Sequence, residues 1–220
     1  MRNKIISMDD AGSHVRSGMT VMIGGFLGCG GPNAIIDALL VRDIKELTVI
    51  ANDTAFTEVG IGKLIVNHKI RHVICSHIGT NKETGRQFNE GETEVTLTPQ
   101  GTLAGQIRAA GVGTGGFLTP TGVGTEVEKG KNKLIMNGVE YLLETPLKAD
   151  VALIHAWKVD KKGNAIYRRT ARNFNPLMAM AADVVICEAE HIVEVGEIDP
   201  DFVMTPSIFI DYIVDLGGQN

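Results

Sequence analysis

The residues with the clearest chemical potential lie between positions 21 and 32. An apolar run, Val21 to Ile23, leads into five glycines (Gly24, Gly25, Gly28, Gly30 and Gly31) set around Phe26, Leu27 and Cys29. Pro32 then opens an amphipathic stretch. Glycine permits close approach of backbone to a ligand and positive φ, and proline is pre-shaped for a helix start. Such a turn offers free N–H groups to negative charge, so the segment reads as an anion or oxyanion site. Two amides stand at comparable places further on. Asn52 ends the next β-rich run, and Gln100 follows Thr98-Pro99 at a strand-to-helix junction. A side-chain amide there can donate to a substrate carboxylate without titrating, while capping the helix is the alternative reading of Gln100.

Better-known phosphate loops do not fit. Gly25 and Gly30 have the spacing of a P-loop, but Gly31-Pro32 stand where its Lys and hydroxyl belong. Gly28 and Gly30 begin a dinucleotide fingerprint, with Asp53 as its ribose acid, yet Asn33 occupies the third glycine position. His77 reads as a structural residue, Cys29 as a small packing residue, and Glu188 and Glu190 as solvated carboxylates at a strand end. The six histidines and three cysteines show no ligand spacing, so no metal site is expected.

The elements that position these groups alternate between short β-rich runs and helical periodicity, which predicts an α/β fold with an open, largely parallel sheet. Strands are expected over 19–23, 47–51, 72–76, 94–97, 151–156 and 184–187. Helices are expected over 32–40, 61–66, 99–110 and 175–182. Asn137-Gly138 joins runs 133–136 and 139–143 into an added β-hairpin. The glycine-rich stretch 111–125 reads as an ordered loop, and 204–216 as a short strand followed by a helix. No flexible tether interrupts the 220 residues, so one domain over 1–220 is expected.

Net charge is −5 and aromatics make up 5% of residues, which argues against nucleic-acid binding. The N-terminal residues run into Asp9-Asp10 with no signal-peptide h-region, and no apolar run approaches the ~18 residues of a membrane span. Three well-separated cysteines fit reduced thiols and a cytoplasmic location.

Gly24-Gly25-Phe26 followed by Gly30 and Pro32 resembles the signature of family I CoA-transferase α subunits. The resemblance extends through Ile50-Ala51-Asn52-Asp53-Thr54-Ala55, Ser76-His77-Ile78-Gly79-Thr80-Asn81 and Leu97-Thr98-Pro99-Gln100-Gly101-Thr102-Leu103. It continues through residues 116–125 and Ala171-Arg172-Asn173-Phe174-Asn175-Pro176, in colinear order. Ser17 departs from the Asp or Asn that usually begins the signature.

The resemblance implies a CoA-transferase-like fold and transfer of CoA between short-chain carboxylates such as acetate, butyrate and acetoacetate. A glutamate attacks the acyl-CoA thioester, and an acyl-glutamyl anhydride is resolved through an enzyme–CoA thioester. That glutamate belongs to the β subunit in a Ser-Glu-Asn-Gly-type turn, absent here, so a β partner in an α2β2 assembly is implied. By the same resemblance Gly24, Gly25, Phe26, Leu27, Gly28, Cys29 and Gly30 form the CoA-binding segment. Gln100 borders the reacting glutamate; Asn52, by its place at a strand end and not by the resemblance, reads either as a carboxylate contact or as an Asx turn. No tightly bound cofactor is implied, since the CoA thioester is substrate. Arg168, Arg169 and Arg172 read equally as a solvated basic face or a contact with a partner or CoA phosphates. The competing reading from another class is a stand-alone acyl-CoA or nucleotide-binding regulatory module.

Overall fold

The computed structural model describes residues 3–217; residues 1, 2 and 218–220, which the single-domain reading includes, lie outside the described residues. The chain forms α1 (Met8–Ser13), β1 (Thr20–Ile23), α2 (Asn33–Leu40), β2 (Leu47–Ile50), α3 (Ile61–Val66) and β3 (Ile70–Cys75). Next come α4 (Lys82–Asn89), β4 (Glu94–Leu97), α5 (Gln100–Gly111), β5 (Phe117–Thr119), β6 (Lys133–Met136) and β7 (Val139–Glu144). The last elements are β8 (Ala149–Asp160), β9 (Ala165–Ile166), α6 (Asn175–Ala179), β10 (Ala182–Val193) and β11 (Tyr212–Asp215).

The main sheet runs β11-β10-β8-β1-β2-β3-β4, and every pair along that path is parallel. The chain first builds outward from β1 to β4, then returns to the other side of β1 and builds outward again through β8, β10 and β11. The order therefore reverses between β1 and β8, the kind of place where open α/β sheets hold ligands beyond their strands' carboxyl ends. The turn Gly24 to Pro32 leaves β1 there.

Alternation along each strand divides the core. Val21, Ile23, Val49, Val73, Val151 and Leu153 pack with Ile35, Leu39 and Leu64 of α2 and α3. Met22, Ile50, Ala152 and Ile154 pack on the other face with Leu103 and Ile107 of α5 and Met178 of α6. Burial on both faces explains why these strands read as unbroken apolar runs.

The α/β class, the parallel sheet and the hairpin match expectation. At the hairpin tip Asn137 and Gly138 take φ of 52° and 76°, as an Asn-Gly turn requires. Several local expectations are corrected. The stretch 111–125 contains β5, which pairs antiparallel with β7 and owes its existence to that long-range partner. Residues 204–216 hold a 3-10 turn (Ser207–Phe209) and then β11, with no α-helix, because β10 offers a parallel edge. The helix expected to run to 182 ends at Ala179 as the chain enters β10. α1 and α4 had no apolar periodicity to reveal them; α4 is the polar Lys-Glu-Thr-Gly-Arg-Gln-Phe-Asn, capped by the Asn81 side chain.

Cys75 and Cys187 are buried, whereas Cys29 is exposed and does not pack into the core. Burial foremost pushes the Cys75 thiol up to about 12, helped by the nearby Asp53 charge and opposed by a hydrogen bond from the His77 backbone. Burial also raises Cys187, with Glu188 adding to it. A thiol-reactive chromophore should therefore modify one thiol per native chain quickly and the other two only after unfolding; rapid modification of two or three would contradict this packing.

Candidate functional site at the carboxyl edge of the sheet

The glycine turn folds back on itself. Phe26 N–H donates to Cys29 O (3.0 Å) and Cys29 N–H to Phe26 O (2.9 Å), with Leu27 at φ 49° and Gly28 at φ 84° between them. Positive φ at both central residues makes this a type I′ tip. Gly28 suits the geometry, and Leu27 is strained in it. The Leu27 N–H is held by Asp53 Oδ2 (2.9 Å), so Asp53 fastens the turn and is not a ribose ligand.

The donors divide unequally. Gly24 N–H goes to Leu153 O (2.9 Å) and Gly25 N–H to Asn173 Oδ1 (3.1 Å). With Phe26, Leu27 and Cys29 also engaged, only Gly28 and Gly30 within 24–30, together with Gly31, keep N–H groups without an acceptor among the described residues. The expectation of a whole segment of free donors narrows to these. The expected anion site at the start of α2 is also corrected: Ile35 N–H donates to Glu188 Oε2 (2.9 Å), so the protein supplies its own carboxylate there.

Glu188 is 2% exposed, which overturns the reading of a solvated strand-end acid. It faces His155 of β8, whose Nδ1 lies 3.4 Å from Glu188 Oε1 and whose Nε2 lies 3.0 Å from Glu190 Oε1. A clamp from the segment before and within α6 completes the support. Asn175, fully buried, accepts from His155 N–H (3.1 Å) and donates from Nδ2 to Gly30 O (2.9 Å) and Ala171 O (2.8 Å). Asn173 Nδ2 donates to Cys29 O (3.0 Å). A Cβ on Gly24 would sit 1.8 Å from Asn175 Oδ1, so this glycine is required by its neighbour.

Gln100 and Asn52 meet as well. Gln100 Nε2 donates to Asn52 Oδ1 (2.6 Å), and Asn52 Nδ2 donates to Asp53 Oδ2 (2.6 Å). Asn52 is 2% exposed and its amide is engaged at both ends, whereas Gln100 is exposed. The chain through Gln100, Asn52, Asp53 and Leu27 thus ties the amide at the start of α5 to the glycine tip. Sequence reasoning missed Asn173, Asn175 and Glu188 as site residues. A signal for Glu188 was present, since it interrupts an apolar run and is followed by Ala189. Among the described residues no group of three or more His, Cys, Asp or Glu could hold a metal ion, and no helix is long and apolar enough to cross a membrane.

A doubly wound parallel sheet with a glycine turn at its switch point and paired amides beside it defines an open α/β fold whose candidate site lies at the carboxyl edge. The chain belongs to the coenzyme A transferase family, whose model matches residues 5–216, and transferase chemistry comes with that membership. It is 54% identical over 214 residues to acetate CoA-transferase subunit alpha of Escherichia coli (strain K12), covering 97% of both chains. It is 52% identical to the acetoacetyl-CoA:acetate/butyrate CoA transferase alpha subunit of Clostridium acetobutylicum, covering 97% of this chain and 98% of that one. Solved structures share the fold at lower identity. An Escherichia coli O157:H7 acyl-CoA transferase matches with TM-score 0.86 at 20% identity, over all of this chain and 48% of that one. Glutaconate coenzyme A-transferase from Acidaminococcus fermentans matches with TM-score 0.83 at 22% identity, over 96% and 75%.

Two predictions follow from the clamp. Asn175→Ala strands half-buried groups on three segments, and each left without a partner costs up to about 1–3 kcal/mol; urea unfolding should show a loss of about 1 kcal/mol or more, and an unchanged midpoint would refute the clamp. The second concerns His155, whose burial lowers its pKa but is outweighed by Glu188 and Glu190, leaving it raised from 6.5. A folded-state pKa above the unfolded one adds stability that is complete below the unfolded value and lost as pH rises through the folded one. The stability advantage of the wild type over His155→Gln should therefore be largest below pH 6.5 and shrink above it; a gap that widens with pH would reverse the assignment.

Proposed function

We propose that this chain, read as one domain over residues 1–220, is the α subunit of a CoA-transferase exchanging CoA between short-chain carboxylates such as acetate, butyrate and acetoacetate. The observation that carries this reading is the set of unengaged N–H groups at Gly28, Gly30 and Gly31, held rigidly at the sheet's switch point beside the exposed amide of Gln100. The α-subunit relatives named for acetate and butyrate substrates support the acyl range.

In this reading the nucleophilic glutamate comes from a β subunit. The two carboxylates beneath the turn fit that division of labour. Asp53 accepts from Leu27, Asn52 and Ala55, and Glu188 accepts from Ile35, so both are buried anchors unsuited to attack a thioester. As the partner's glutamate adds to the thioester carbonyl, negative charge grows on its oxygen. Fixed N–H donors that need no reorganisation lower that barrier, and one such donor is worth roughly 2.7–4 kcal/mol. Gln100, with one amide hydrogen given to Asn52, turns its remaining polar atoms toward the reacting carboxylates. Asn52 acts as a positioning residue for Gln100, revising the expectation that it touches substrate. Phe26 and Cys29, exposed at the tip, lie along the CoA path.

The reading is tested by assaying this chain alone and combined with a β subunit for CoA transfer from acetyl-CoA to butyrate and acetoacetate. Activity is expected only in the combination, and Gln100→Ala should lower kcat/KM about a hundredfold. Transfer by this chain alone would overturn the divided site, and unchanged kinetics in the variant would remove Gln100 from it.

A further inference from the structure

Beside the glycine tip lies a cleft of about 510 Å³ lined by Phe26, Cys29, Arg169, Thr170, Arg172 and Asn173. In a chain of net charge −5, three arginines occur within residues 168–172. Arg168 is directed at the face of Trp157, 5.6 Å from its centroid. Arg169 and Arg172 are exposed and make no ion pair with a carboxylate among the described residues. Two uncompensated guanidinium groups on one rim of a cleft are a recognition element for a dianionic ligand group, since the planar fork pairs with phosphate oxygens two at a time.

The segment carrying them is fixed to the turn. Asn173 Nδ2 holds Cys29 O, Asn175 Nδ2 bridges Gly30 O and Ala171 O, and Thr170 Oγ1 lies 3.6 Å from Cys29 Sγ. Even the approach of the two backbones is specified, because a Cβ on Gly30 would lie 2.6 Å from Ala171 O. Arg169 itself has φ 52°, a left-handed conformation costly for a non-glycine residue and retained here by its surroundings.

The geometry points to Arg169 and Arg172 as the site for the phosphate-bearing nucleotide arm of the CoA thioester, a role that rests on the CoA-transferase reading above. Three stations lie in order across the carboxyl edge: the Gln100–Asn52 pair beyond β2, the glycine tip after β1, and the arginine cleft packed against that tip on the β8 side. Neighbouring strands are roughly 4.8 Å apart, so a ligand spanning the stations must reach across at least two strand spacings. A thioester reacting beside Gln100 would run its uncharged arm over the bare glycines and the exposed ring of Phe26. Its phosphates would then arrive at a rim whose two guanidinium groups have no carboxylate partner among the described residues.

The test compares two thioesters that differ only in the nucleotide, acetyl-CoA and acetyl-pantetheine, using this chain assembled with its β subunit. For Arg169→Gln and for Arg172→Gln, the ratio of kcat/KM for acetyl-CoA to that for acetyl-pantetheine should fall at least tenfold, through KM for acetyl-CoA. Raising the salt concentration should weaken acetyl-CoA use by the wild type more steeply than by either variant. An unchanged ratio overturns the proposal. Failure of the variants to assemble, read by gel filtration, assigns the arginines to subunit docking and also overturns it. A wild-type complex that uses neither thioester defeats the CoA-transferase reading itself and the proposal with it, whereas a competent wild type with an unchanged ratio defeats the proposal alone.

Discussion

The side chain of Asn175 occupies the space that Gly24 leaves by having no side chain, and the geometry of the site depends on that interlock. From this position one amide joins β8 through His155, the glycine turn through Gly30 and the arginine-bearing segment through Ala171. Each group it satisfies is backbone and half-buried, where an unmet polar atom is costly. The network therefore acts through Asn175: displacing it leaves groups on three other segments without this hydrogen bond. The requirement is steric as well as polar, since any larger residue at position 24 takes the place of the amide oxygen.

With that clamp in place, the turn can hold a conformation that an isolated peptide would not. Leu27 is kept at positive φ by the Asp53 carboxylate on its N–H and by the paired backbone of Phe26 and Cys29. Using some N–H groups to fix the turn is what holds the others still. Donors on a rigid backbone stabilise developing charge without reorganising, which is where electrostatic catalysis gains most. The line from Asp53 through Asn52 to Gln100 extends the same rigidity to the amide at the start of α5, so the tip and the amide form one structure.

Charge is apportioned with similar economy. The positive end of α2, at first sight the natural cradle for a ligand anion, is met by Glu188, which stands against His155 and Glu190 within the fold. In the proposed reading an incoming anion finds its partners above the turn, among the free glycine N–H groups and the arginines beside Cys29. Separating the internal carboxylate from the external ligand lets the fold remain electrostatically satisfied whether or not substrate is present.

The amino-acid sequence by itself determined what is local or periodic. Apolar runs buried on both faces marked the parallel strands, Asn137-Gly138 marked its hairpin because few residues accept positive φ, and the glycines marked a bare turn after β1. The colinear motifs marked the family. Only the tertiary structure decided what depends on distant partners. β5 and β11 exist through pairing with β7 and β10, and α4 carries no apolar stripe to announce it. Within the site, the sequence placed the glycines, Asn52 and Gln100 at strand ends but could not say which N–H groups were already engaged. Nor could it tell that Glu188 faces inward, because whether a carboxylate is solvated or buried depends on elements far away in sequence. That allocation of donors and charges is decided by non-local contacts, and it converts a glycine-rich turn into a site with a direction.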